Sequence, residues 1–310
     1  MNEAVVKMLA RYGCRTIEDD PRAMREILQG IALLGLWRGR FFERAALCGG
    51  AALRLLYGMD RFETDLDFTL LTPSPDFSFT RYGEALAREV RSLGFQLSMM
   101  KRANHRASPL ESAFLKADTL QYDLEIEAIP ERVRRRFTDH PIRFRIEIDT
   151  DPPPGAAPES RTCALPIPFS VRTLALPDLL NLKLAALLSR RYYRRAKGRD
   201  WYDLPWCAAR QPQLNFTRLE ARVRQLGWMP PGEPHEAVKR LPGEEARLTG
   251  ETVLKLAARV IKILDVGEAR REVLPYLIDP ATITAWSPEF FRDAFSRLVK
   301  SDSSAGPDCS

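Results

Sequence analysis

Asp65 and Asp67 stand one residue apart in a stretch where Leu66, Phe68 and Leu70 fill the alternate positions. Such alternation is a strand pattern, and residues i and i+2 of a strand share a face. The two carboxylates therefore project together while Leu66 and Phe68 turn inward. Like charges held side by side repel, and they cost stability unless a cation compensates. A chain that keeps this pair must present one face of the strand to solvent or a ligand and bury the other.

Sixteen residues before Asp65 comes Gly49, followed by Gly50. The pair follows a short apolar strand candidate, Ala45-Ala46-Leu47-Cys48, and precedes a helix expected over Ala51–Leu56. Glycine lets backbone N–H groups approach a phosphate closely, and a helix N-terminus favours negative charge. Magnesium prefers oxygen ligands and binds through one or two carboxylates plus substrate phosphates. Alone, D-x-D is a common surface pattern and Gly-Gly a common turn. The order strand, Gly-Gly, helix, strand with D-x-D is far more specific.

A second acidic strand is expected at Ile142–Asp149. Arg143, Arg145, Glu147 and Asp149 share one face there, and Phe144, Ile146 and Ile148 the other. A solvated edge is one reading of the charged face. The other is a third metal-site carboxylate beside Asp65 and Asp67. Asp123, Glu125 and Glu127 form a competing acidic strand, ranked lower.

Around these motifs the pattern is mixed. Residues 1–40 read as two or three helices, with Pro21 near a helix start. Arg81–Leu93 is a helix closed by Gly94, and Phe95–Lys101 and Ala113–Leu120 are strands. Pro152-Pro153-Pro154-Gly155 is rigid punctuation. Pro177 opens a helix over Asp178–Arg195, Gly198 breaks it, and another begins near Asp200. The remainder to residue 300 is helical, with breaks at 230–234. The fold class expected is α+β: a mixed-sheet α/β domain with N-terminal helices over 1–165, a helical domain over 166–300, and a disordered tail over 301–310.

Composition removes several classes. Apolar residues are 45% and charged residues 28% of 310, which is ordinary globular usage. The 47 basic against 41 acidic residues give +6, compatible with an anionic partner without demanding one. Five cysteines, with no C-x-x-C spacing, argue against a disulfide framework or structural zinc and fit a cytoplasmic protein. His105, His140 and His235 are far apart. The longest apolar run, from Ile27 to Trp37, is too short to span a bilayer. Gly30 and Gly35 have the glycine spacing of a phosphate-binding loop, but Leu36 and Trp37 replace its lysine and hydroxyl residue, so the run reads as buried helix.

From Lys183 to Arg199 there are seven basic residues and no acidic one: Lys183, Arg190, Arg191, Arg194, Arg195, Lys197 and Arg199. A solvated face is one reading of this run; a cationic ridge for triphosphate or RNA phosphates is the other, and the lack of intervening acids weakens the first, because surface helices normally alternate sign. Asp200 is either an N-cap for the next helix or a partner of Lys183 or Arg199.

These motifs, in order from about residue 30 to 215, resemble the AbiEii/MenT-type nucleotidyltransferase toxins. Gly49-Gly50-Ala51-Ala52-Leu53 and Arg61-Phe62-Glu63-Thr64-Asp65-Leu66-Asp67-Phe68 are similar to that family's GG[TS]-x-L and R-x-[ST]-x-D-[LI]-D-[FL]. Glu147 and Asp149, followed by prolines, resemble its acidic strand. Leu182-Lys183 through Arg190, then Lys197-Gly198-Arg199-Asp200 through Asp203-Leu204, resemble its K-L-x-A-L-x-x-R and K-x-R-D-x-x-D-L signature. The resemblance implies a polymerase β-like fold with a helical C-terminal domain. It also implies a Mg2+-dependent (or Mn2+-dependent) activity on an NTP, and a toxin role beside an antitoxin protein. Some relatives add nucleotides to tRNA 3′ ends.

On that basis Asp65 and Asp67, with Glu147 or Asp149, are the expected metal ligands and catalytic carboxylates. Gly49, Gly50, Arg61, Lys183, Arg190, Lys197 and Arg199 are expected to hold the nucleotide or acceptor, with Asp200 and Asp203 positioning the cations. The partners expected are NTP, an RNA acceptor and an antitoxin, with no membrane. Two departures stand out: Ala51 lacks the hydroxyl of the family's Thr or Ser, and Glu63 replaces another. They support one rival reading, a degenerate nucleotide- or RNA-binding protein acting by sequestration. A second rival is a phosphotransferase that moves a γ-phosphoryl group to a protein.

Overall fold

The computed structural model describes residues 3–13, 19–102, 119–127, 141–152, 155, 157–189, 197–210, 213–225 and 248–303. The chain divides into two compact units, residues 1–154 with 158–174, and residues 155–157 with 175–310.

The first unit is built on one seven-stranded mixed sheet. Its elements run α1 (Glu3–Ala10), α2 (Asp19–Arg38), β1 (Ala45–Cys48), α3 (Gly49–Tyr57), β2 (Leu66–Leu70), α4 (Thr80–Ser92), β3 (Gln96–Lys101), β4 (Thr119–Glu127), β5 (Ile142–Asp149), β6 (Pro158–Cys163) and β7 (Phe169–Leu174). The strand order is β3-β4-β5-β2-β1-β7-β6. The β1–β7 and β2–β5 pairings are parallel and the others antiparallel. Alternation decides the faces. Leu66, Phe68, Ile142, Phe144, Ile146, Ile148, Leu124 and Ile126 are all buried, while the residues between them carry the charges.

Helices α2 and α4 pack together, and α2 also meets β5 and β7 while α4 meets β3. Helix α2 is buried on nearly every side from Met24 to Leu36, with Ile27, Leu28, Ile31, Ala32 and Leu33 all inaccessible, as befits a helix apolar all round. Its glycines serve close approach. A Cβ on Gly35 would lie 2.7 Å from the Leu86 α-carbon, and one on Gly30 would lie 2.9 Å from the Leu165 carbonyl oxygen. The phosphate-loop spacing of that pair is thus a packing device. Phe41 joins the layers, with ring centroids 5.0 Å from Phe68 and 5.1 Å from Tyr82.

The hairpin of β6 and β7 has no counterpart in the strands read from the sequence. Residues 165 and 166, where the domain join was expected, fall between its two strands, and the first unit runs on to Leu174.

The second unit is helical, with α5 (Leu176–Ser189), α6 (Gly198–Ala208), α7 (Phe216–Gln225), α8 (Gly250–Lys262), α9 (Val266–Val273) and α10 (Pro288–Ser303) among the described residues. Trp201 is fully buried, 4.7 Å from the Phe291 ring centroid. A Cβ on Gly198 would lie 1.9 Å from the Ala269 carbonyl oxygen, so only glycine lets α6 approach α9 there. Arg218 bonds both carboxylate oxygens of Asp178, and the Ala157 N–H donates to the same group. Helix α10 reaches Ser303, inside the expected tail. Most of the expected strand Ala113–Leu120, the breaks at 230–234, all three histidines and residues 304–310 lie outside the described residues.

Candidate active site

Backbone register brings the two acidic stretches together. On β2 and β5, which run parallel, Asp67 stands opposite Glu147 and Thr69 opposite Asp149. Directly opposed residues of a sheet project to the same side. Asp67 also faces Cys48 on β1, and Glu147 faces Gln121 on β4. One row therefore reads Cys48, Asp67, Glu147, Gln121. Asp65 precedes β2 on the same face, and its Oδ1 accepts from the Arg145 N–H at 3.3 Å. Asp149 lies one row further along, where its Oδ1 accepts from the Asp151 N–H at 3.2 Å. Glu147 is therefore the β5 carboxylate level with the aspartate pair.

The glycine turn lies against this row. Gly49 opens α3 at φ +68°, a left-handed conformation that favours glycine. A Cβ on it would lie 2.2 Å from Asp67 Oδ2. The carboxylate thus packs on the backbone at the start of a helix, where N–H groups point outward and the helix dipole favours anions.

Gly50 is supported from beneath. A Cβ there would lie 2.0 Å from Glu63 Oε2 and 2.9 Å from an Arg61 guanidinium nitrogen. Arg61 is fully buried, and it donates to Glu63 Oε2 at 2.9 Å and to the Phe62 carbonyl at 3.0 Å. Glu63 Oε1 accepts from the Thr64 N–H at 2.9 Å, and Gln29 reaches the Glu63 carbonyl from α2. Glu63, read as a departure from the family pattern, is the anion that matches Arg61. Arg61, expected at the nucleotide, is placed under the turn. Ala51 is buried in the core.

Basic residues interleave the acids on β4 and β5. Arg145 donates to Asp123 Oδ1 at 3.3 Å and to Glu147 Oε1 at 3.2 Å. Gln121 donates to the same Glu147 oxygen at 3.2 Å. Arg102 bonds Asp123, and Arg143 pairs with Glu125. Burial alone would lower the Arg145 guanidinium, but bonds to Glu147 and Asp123 and the charge of Asp65 raise it overall. Burial likewise pushes the Asp123 carboxyl up, and bonds from Arg102 and Arg145 more than reverse this, leaving it below the ordinary range. The competing acidic strand is thus β4, the ion-pairing neighbour of β5. Gln121 and Arg145 had no assigned role in the sequence, although the alternation of β5 already put Arg145 on the face of Glu147.

The carboxylates of Asp65, Asp67 and Glu147 are oxygen donors of the kind a hard divalent cation takes, and they lie near a helix N-terminus, where anions are favoured. Among the described residues no three His, Cys, Asp or Glu groups cluster as a ready-made metal cage.

In the second unit, Lys183 Nζ lies 2.7 Å from Asp203 Oδ2 and 3.3 Å from Asp200 Oδ1. Asp200 is therefore a partner of Lys183 within the first turn of α6. Arg199 takes Glu272 through both its main chain and its side chain and lies over the Tyr276 ring. Lys197 is half-buried at the start of α6. Arg190 lies outside the described residues.

A mixed sheet carrying paired carboxylates beside a glycine turn is the framework of a nucleotidyltransferase. The family model described as "Nucleotidyl transferase AbiEii toxin, Type IV TA system" matches residues 31–255, and the chain belongs to that family. It is an enzyme of the nucleotidyltransferase class, and no helix among the described residues is long and apolar enough to cross a membrane. Two solved structures are similar over most of their length. One is a candidate nucleotidyltransferase from H. pylori (14% identity, 89% of this chain and 96% of that one, TM-score 0.43). The other is JHP933 from Helicobacter pylori (15% identity, 89% and 90%, TM-score 0.40). A search of curated proteins found no match.

Proposed function

We propose that the chain transfers a nucleoside monophosphate from an NTP to an RNA acceptor such as a tRNA 3′ end, with release of pyrophosphate. The observation that carries this reading is the register of β2 and β5, which sets Glu147 level with Asp67 beside Gly49. Asp65, Asp67 and Glu147 would hold Mg2+ or Mn2+, with Asp149 as the alternative third carboxylate. When bound, the metal neutralises charge developing on the transferred phosphoryl group.

The protein's own groups do the rest. The N–H groups at Gly49 and Gly50 receive triphosphate oxygens at the mouth of α3. Arg61 and Glu63 act as positioning residues that keep this turn in shape. Glu147 or Asp149 takes the proton of the attacking hydroxyl. Lys183, Arg190, Lys197 and Arg199 are proposed as the cations for phosphate or RNA, with Asp200 and Asp203 orienting Lys183. The family's name implies an antitoxin partner for the chain.

The test is incubation of the purified protein with total tRNA, a divalent metal and NTPs labelled at the α or the γ position. Transfer of α-label to RNA, lost in Asp65→Asn and Asp67→Asn, is the expected result. Transfer of γ-label to protein would favour phosphotransfer. Nucleotide binding without transfer of either label would favour sequestration.

A further inference from the structure

Arg145 occupies an unusual place for a cation. It projects from the same face of β5 as Glu147, and its guanidinium bridges Asp123 and Glu147 at 3.3 and 3.2 Å. Its own N–H holds Asp65, and the Asp65 charge acts on its side chain. One residue thus touches two of the three carboxylates assigned above to the metal. Its side chain is 32% exposed, as is that of Glu147, so the pair stands at the solvent boundary and is able to separate. Asp123 is 39% exposed and accepts from Arg102 as well as from Arg145. If Arg145 releases Glu147, it retains an anionic partner one strand away, with Arg102 as competitor there.

We infer that Arg145 is a built-in counter-ion that competes with the divalent metal for Glu147, swinging toward Asp123 when the metal binds. This rests on the reading that Asp65, Asp67 and Glu147 hold the metal, and it makes Arg145 a positioning residue. The acidic face is thereby held together without a metal, at the expense of metal affinity. Asp123 is the parking position: the better it holds the guanidinium, the more freely Glu147 turns to the metal.

The experiment titrates the full-length protein with Mn2+ alone and reads free Mn2+ by electron paramagnetic resonance. Removing a cation next to a carboxylate moves that group's cation affinity by about tenfold or more. Arg145→Met should therefore tighten Mn2+ binding roughly tenfold. Arg145→Lys, which keeps the charge, should stay near wild type. Asp123→Asn removes the parking position and should weaken binding several-fold. The opposite signs keep the test decisive if Arg145→Met proves unstable by thermal melt.

Equal or weaker binding in Arg145→Met, or unchanged binding in Asp123→Asn, overturns the inference. Wild-type Mn2+ binding that survives Asp65→Asn with Asp67→Asn overturns the metal reading instead. Absence of binding in both wild type and Arg145→Met overturns both.

Discussion

Asp67 lies against the backbone of Gly49 so closely that a methyl group on that α-carbon would stand 2.2 Å from its Oδ2. The aspartate and the turn are therefore one unit. Gly49→Ala would place a side chain in the left-handed region, at roughly 1–2 kcal/mol, and would push the carboxylate out of its row. We expect the variant to remain folded and to lose nucleotidyl transfer by more than about a hundredfold, in keeping with a displaced electrostatic group. Gly58→Ala, also at positive φ but with nothing within 4 Å of the added Cβ, is the matched control and should stay active. Initial rates and melting temperatures of the two variants check this.

The buried Arg61–Glu63 pair should reveal itself through an asymmetry. Arg61→Met removes the guanidinium from a buried glutamate, and breaking a pair in this way costs about 3–5 kcal/mol. Replacing both residues by methionine removes the buried charge as well and should recover most of that loss. Urea unfolding of the single and double variants measures the difference. A double variant no more stable than Arg61→Met would show that the pair is not the support of the Gly50 turn.

Lys183 calls for the same caution. Its ammonium serves two aspartates that are almost completely buried, with Asp203 at 0% exposure. Lys183→Met should destabilise the helical unit by about 3–5 kcal/mol, and adding Asp203→Asn should restore a substantial part. A Lys183 variant that loses activity with an unchanged unfolding midpoint would support its proposed role at phosphate or RNA and remove the role of helix clasp.

Acid stability tests the outer edge of the sheet. Glu159 on β6 accepts from the Tyr57 hydroxyl at 2.8 Å and pairs with Arg161. Burial pushes its carboxyl up, but the bonds from Arg161 and Tyr57 more than offset this, and it lies below the ordinary glutamate value of 4.5. A carboxyl held low in the folded state stabilises it fully above the unfolded value, and that stability is lost as pH falls through the folded one. Wild type should therefore lose more stability than Glu159→Gln between pH 7 and pH 3. Denaturant midpoints at the two pH values decide it, and equal losses would contradict the assignment.

The sequence carried the local elements well, because alternation and glycine placement are short-range signals. Strand β2, the Gly49-Gly50 turn and the two faces of β5 were all legible before any coordinates. Register between strands 80 residues apart was not, since nothing in the composition of Ile142–Asp149 says which residue of β2 it will face. That is why alternation alone treats Glu147 and Asp149 alike, whereas the register sets Asp67 opposite Glu147 and Thr69 opposite Asp149. The hairpin of β6 and β7 was missed for a local reason. In β6, Glu159, Ser160 and Arg161 put polar residues where a strand signal needs apolar alternation, as suits an edge strand, whereas Phe169, Val171 and Arg172 of β7 do alternate and were legible. Glu63 looked like a defect because its partner is Arg61, two residues away in a segment without regular structure, and spacing rules do not report such pairs.

The placing of β5 beside β2 has a consequence for how the protein is born. A chain leaving the ribosome exposes the glycine turn and both aspartates once residue 70 has emerged, yet the strand bearing Glu147 begins only at Ile142. Domains generally fold as units during synthesis. For roughly seventy further codons the nascent segment lacks the neighbour that supplies the rest of its acidic row, so the row is incomplete until more than 140 residues have been joined.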